Sequence, residues 1–102
     1  RESSSLKLIH LLHKNGALIS YYDPSGEKIN FKKYKNVSFK TKISNACENS
    51  DLIILHTEWN EFKNLNFKKL VKKKNFIVYD LRNIYSHKKM INNNINYFGI
   101  GR

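Results

Sequence analysis

Among residues able to carry acid–base or covalent chemistry, the chain holds one cysteine, Cys47, and four histidines, His10, His13, His56 and His87. A thiol becomes a nucleophile when a neighbouring base or positive field lowers its pKa. Cys47 follows Ser44-Asn45-Ala46 with no histidine at a patterned spacing, so it reads as a buried structural thiol. His10 and His13 stand at i, i+3, a spacing that suits a metal, but no third ligand accompanies them and two solvent-edge histidines are expected. His56 and His87 are isolated, and no Ser/His/Asp arrangement can be assembled. We therefore expect no catalytic residue and no metal ligand. Gly16, Gly26, Gly99 and Gly101 make neither GxGxxG nor a P-loop.

Three further positions bear on binding, and one of them, Arg82, is placed for it. Asp23 ends the run Ala17-Leu18-Ile19-Ser20-Tyr21-Tyr22, where a carboxylate could meet a ribose or simply shape the turn Asp23-Pro24-Ser25-Gly26, the turn being the expected role. Trp59, after the run Asp51 to His56, is expected in the core or as a loop anchor. Arg82 follows a strand ending at Asp80 and so stands at the carboxyl edge of a sheet, the edge at which open α/β sheets bind ligands. A guanidinium there can grip phosphate or carbonyl oxygens bidentately.

The elements that would position these residues are legible from periodicity. Ser3 to Ser5 can cap a helix over residues 4–14, which Asn15-Gly16 ends. Residues 17–22 read as a strand, 27–35 as a loop, 36–40 as a short strand and 42–49 as a short helix. Asp51 to His56 is apolar on both faces, as in a strand buried within a parallel sheet. A helix around Phe67, Leu70 and Val71 leaves Lys68, Lys69, Lys72, Lys73 and Lys74 to water. Asn75 to Asp80 is a second buried strand, Ser86 to Asn92 a helix and Ile95 to Ile100 a last strand. This alternation argues for an α/β fold with a parallel sheet and crossover connections.

A length of 102 residues suits one small domain. The net charge of +11 favours anionic partners, yet sixteen lysines, fourteen asparagines and eleven isoleucines against three arginines look like coding bias. Proteins that read nucleic acid lean on arginine forks, so a small basic nucleic-acid-binding module is the alternative function and not the leading one. A lone cysteine fits a reducing compartment, the cytoplasm by default. The longest apolar stretch, Leu52 to Leu55, is far short of the roughly 20 residues of a membrane span.

Five segments, in order, carry a resemblance. They are Arg1-Glu2-Ser3-Ser4-Ser5; Gly16-Ala17 with Tyr22-Asp23-Pro24; Thr57-Glu58-Trp59-Asn60-Glu61-Phe62; Asp80-Leu81-Arg82-Asn83-Ile84-Tyr85; and Tyr97-Phe98-Gly99-Ile100-Gly101-Arg102. Together they resemble the C-terminal, UDP-binding domain of the UDP-glucose 6-dehydrogenase family, over the whole chain. The Thr-Glu-Trp and Asp-x-Arg-Asn pieces fit the UDP-glucose branch better than the GDP-mannose or N-acetylmannosamine branches. Leu81 departs from the Gly or Thr frequent there, and Ser86-His87 from the usual Asp-Pro.

The resemblance implies a three-layer Rossmann-like parallel sheet with helices on both faces, spanning residues 1–102 as one domain. It implies an oxidoreductase that converts UDP-glucose to UDP-glucuronate with two NAD, in nucleotide-sugar metabolism and polysaccharide biosynthesis. Arg82 would contact the UDP-sugar, and Arg1 would contact NAD held mainly by an N-terminal domain. The catalytic Cys, Lys, Asn and Asp of the family lie in upstream parts, and Cys47 does not match that Cys, so the chain alone should be inactive. Implied partners are UDP-glucose, the N-terminal and central domains of the same enzyme and, at full length, further copies in a homo-oligomer; neither nucleic acid nor membrane is expected. The family also places a central strand upstream of Arg1, between the strands at 18–22 and 51–55. Without it those two strands should pair directly or leave backbone groups unsatisfied, at the expense of stability.

Overall fold

The computed structural model describes residues 2–101, which form two compact units dividing between Ala46 and Cys47. All strand pairings are parallel, within a two-stranded and a three-stranded sheet, which makes the chain α/β, as the alternation of its elements predicts.

In the first unit, helix α1 (Glu2–Lys14) begins earlier than the serine caps suggest, so Ser4 and Ser5 lie in its opening turns. Its end is the one Asn15-Gly16 encodes. Gly16, at φ +87°, donates its N–H to His13 O (3.0 Å) and Ala17 donates to Leu12 O (3.0 Å), closing the helix with a left-handed residue that a side chain would strain. Strand β1 (Ile19–Tyr21) pairs with β2 (Val37–Phe39) so that Ile19 faces Val37 and Tyr21 faces Phe39. Residues 27–35, expected as loop, contain a 3₁₀ turn at Ile29–Phe31 that buries Phe31. That ring meets Tyr21 edge-on at 5.1 Å between centroids, and Tyr21 meets Phe39 at 5.3 Å. With Ile9 of α1 buried as well, a small aromatic core results. Helix α2 (Ile43–Cys47) runs to the division between the units.

In the second unit the sheet order is β3 (Leu52–Leu55), β4 (Ile77–Asp80), β5 (Asn96–Gly99). The most apolar strand of the sequence thus lies at an edge of its sheet. Ile53 and Leu55 are buried, Leu52 is 40% exposed, and the two faces differ where equal burial was expected. In register, Ile53, Val78 and Tyr97 form one buried row, whereas Tyr79 and Phe98 stack at 5.2 Å on the other face and remain 43% and 42% exposed. The strands at 18–22 and 51–55 belong to different sheets, so the direct pairing considered above does not occur.

The crossovers follow from capping and burial. A 3₁₀ turn at Asn60–Phe62 buries Phe62. Asn66 caps α3 (Phe67–Leu70) by accepting from Lys69 N–H, and Phe67 and Val71 point inward while Lys68, Lys69 and Lys72 to Lys74 are exposed, as their spacing predicts. Ser86 caps α4 (His87–Asn92) by accepting from Lys89 N–H at 3.3 Å. Asn94, at φ +60°, ends it, with Ile95 N–H returning to Met90 O.

Candidate functional site

The carboxyl ends of β3, β4 and β5 come together through one turn, Leu81 to Tyr85. Arg82 is exposed, and its Nε donates to the carbonyl of His56, the residue after β3, at 3.1 Å. Among the described residues the terminal guanidinium nitrogens have no partner, so they are available to an anion. Asn83 ties the turn to the other neighbouring strand: Nδ2 donates to Ile100 O (3.0 Å) and Oδ1 accepts from Ile100 N–H (2.8 Å). Asn83 pays for that grip with a left-handed backbone, φ +51°, which Asn tolerates better than most residues.

Beneath the turn lies Asp80, fully buried. Its Oδ1 accepts from Arg82 N–H at 3.2 Å, and its Oδ2 accepts from Tyr85 N–H at 2.9 Å and Tyr97 Oη at 2.6 Å. Tyr85 then reaches to the segment before α3: its hydroxyl accepts from Leu65 N–H (3.0 Å) and donates to Phe62 O. Burial pushes that phenol above its ordinary pKa, against the opposing pull of the Leu65 N–H. Sequence reasoning placed Arg82 at the carboxyl edge where it stands, and did not single out Asp80, Asn83 or Tyr97 beside it. The motif Asp80-x-Arg82-Asn83 was the available signal.

The remaining sequence candidates lie elsewhere. Asp23 forms the turn, accepting from Ser25 N–H (2.8 Å) and Ser25 Oγ (2.6 Å) and lying 3.7 Å from Lys28 Nζ, the turn role expected of it. Cys47 is a free, buried thiol whose pKa burial pushes up to about 11, the opposite of nucleophile activation. His10 Nδ1 lies 3.2 Å from Tyr34 Oη and His13 packs on the same ring, and no metal-ligating cluster of three side chains exists among the described residues. Trp59, expected in the core or as a loop anchor, is 39% exposed at the start of the 3₁₀ turn whose Phe62 is buried. Arg1 lies outside the described residues. A cavity of about 620 Å³ opens at the amino ends of the three-stranded sheet, away from Arg82. Its lysine rim is partly neutralised, with Lys73 bound to Asp51 at 2.8 Å and Lys72 to Glu48 at 3.3 Å.

Residues 1–87 match the model of the UDP-glucose/GDP-mannose dehydrogenase family, UDP binding domain. The chain is 32% identical over 105 residues to UDP-glucose 6-dehydrogenase of Rickettsia felis, covering 99% of this chain and 23% of that protein. It is 31% identical to UDP-glucose 6-dehydrogenase of Rhizobium meliloti, covering 100% and 24%. With UDP-N-acetyl-D-mannosamine dehydrogenase of Methanococcus vannielii it shares 30% identity over 91 residues, 85% of this chain and 20% of that one. The chain therefore spans about a quarter of the length of the curated relatives it matches. With an α/β fold of parallel strands, an arginine at the carboxyl edge and a family match over residues 1–87, the chain belongs to the UDP-glucose/GDP-mannose dehydrogenase family and represents its UDP-binding domain.

Proposed function

We propose that residues 1–102 act as one domain that binds the UDP portion of UDP-glucose within an NAD-dependent UDP-glucose 6-dehydrogenase. The observation that carries this reading is Arg82: one guanidinium nitrogen is fixed on His56 O, while the others stand free at the sheet's carboxyl edge. A planar cation held at one corner and open at two others suits paired oxygens such as those of a pyrophosphate. The described residues do not offer a dinucleotide-binding fingerprint for NAD. Of the left-handed glycines Gly16, Gly26 and Gly101, the first two serve a helix end and a turn and none belongs to a GxGxxG, while Asp23 is engaged by Ser25 and Lys28. Hydride transfer then belongs to other domains of the same enzyme, to which Arg1 would add an NAD contact. Cytoplasmic residence, a role in polysaccharide biosynthesis and assembly into a homo-oligomer complete the proposal. Among the described residues no helix is long and apolar enough to cross a membrane.

Calorimetric titration of UDP-glucose into the purified chain tests the reading. Arg82→Ala should weaken binding by about 1.5–3 kcal/mol, the worth of a charge-assisted contact, or roughly 10–150-fold in Kd. Unchanged affinity, or no binding by the parent chain, would overturn it.

A further inference from the structure

Asp80 is the last residue of the central strand of its sheet, in register with Leu55 and Gly99, and its carboxyl group is fully buried. Burying such a group is costly unless its oxygens are satisfied, and these accept from the N–H of Arg82, the N–H of Tyr85 and the hydroxyl of Tyr97. Two of the three donors are backbone groups of the turn that carries Arg82. The backbone carbonyl of Asp80 also accepts from Asn83 N–H at 3.4 Å. One residue thus closes the turn at both ends.

Tyr97 holds Asp80 in that role. It is 1% exposed on β5, and its hydroxyl lies 2.6 Å from Asp80 Oδ2 and 3.1 Å from Tyr85 O. A hydroxyl has one proton to donate, and the shorter approach to the carboxyl group takes it. The carboxyl group is thereby held at Oδ2 by β5 as well as by the turn.

We propose that Asp80, oriented by the Tyr97 hydroxyl, is a positioning residue for Arg82. It sets the turn so that Nε meets His56 O and the terminal guanidinium nitrogens are presented to the phosphate oxygens of a nucleoside diphosphate. This rests on the nucleotide-binding reading of Arg82, and the two are separable. A buried Asp kept only to stabilise the fold would leave the side chain of Arg82 indifferent to the loss of one hydroxyl on β5.

The test uses the 102-residue chain labelled with ¹⁵N and the variants Tyr97→Phe, Asp80→Asn and Val78→Ala. Tyr97→Phe keeps the ring and removes only the hydroxyl. Val78→Ala loosens the same strand without touching the turn, and shows how far lost stability alone moves each signal. In Tyr97→Phe the Arg82 Nε–H resonance should shift and exchange faster with water, and the Kd for UDP should rise about 3–10-fold, both beyond the Val78→Ala effect. Asp80→Asn should do the same more strongly where it folds. An Arg82 Nε–H signal in Tyr97→Phe that matches the parent, or moves no further than in Val78→Ala, overturns the proposal. Failure of UDP to bind, or an unaltered Kd in Arg82→Ala, overturns the nucleotide-binding reading instead, and the Nε–H signal still decides the role of Asp80.

Discussion

Cys47 shows how burial decides what a reactive atom does. Removed from water and given no base, its thiol keeps its proton to about pH 11, whereas an unfolded thiol loses it near 9. The folded state holds that proton more tightly, so the associated stability is complete below pH 9 and is lost as the pH rises toward 11. Tyr21 and Tyr85, also raised by burial, act in the same direction at higher pH. In Cys47→Ala the fall in urea midpoint between pH 9 and 11 should be shallower than in the parent chain; an identical slope would contradict the assignment. Legibility at this scale followed distance along the chain. The fate of Cys47 could be read from its neighbours, and the place of Arg82 from the strand two residues before it. Asp80 and Asn83 could not be read that way, because their partners Tyr97 and Ile100 lie 17 residues on and meet them only through the register of β4 with β5.

The elements were legible wherever burial imposed a period over more than one turn. Helix α1, the capped α3 and α4 and all five strands stand within a few residues of their expected places. The 3₁₀ turn Ile29–Phe31 was hidden, since one turn has no period and its neighbours Lys28, Lys32 and Lys33 read as loop. Yet Phe31 anchors the first unit against Tyr21. Truncating a buried Phe costs about 3–5 kcal/mol, against roughly 5–15 kcal/mol for a whole domain. Phe31→Ala should accordingly lower the denaturation midpoint of the first unit far more than Ile29→Ala, because Ile29 is 77% exposed. Equal effects would show that the turn is peripheral. The asymmetry of β3 was equally illegible, for its composition reports apolar character and not which neighbours its sheet supplies.

On the scale of the whole molecule, fourteen of the sixteen lysines are exposed and they occur on α1, α3 and α4 and in the segments between strands. Lys68, Lys72, Lys73 and Lys74 gather at one cavity, but Lys72 and Lys73 are paired with Glu48 and Asp51, which leaves fewer cations there to neutralise phosphates together, the number on which affinity for nucleic acid depends. Filter binding in 0.15 M salt should show no micromolar affinity for RNA or DNA; a tight, salt-sensitive complex would restore the nucleic-acid alternative.

The stacked pair Tyr79 and Phe98 has a colloidal consequence. Their rings are about two-fifths exposed on a chain of net charge +11, so charge repulsion opposes the approach of those rings on neighbouring molecules. The range of that repulsion is about 30 Å at 0.01 M salt and about 8 Å at 0.15 M. Solutions of this protein therefore keep best when dilute in electrolyte, and kosmotropic salts such as sulfate, which strengthen apolar association, are the wrong choice for concentrating it.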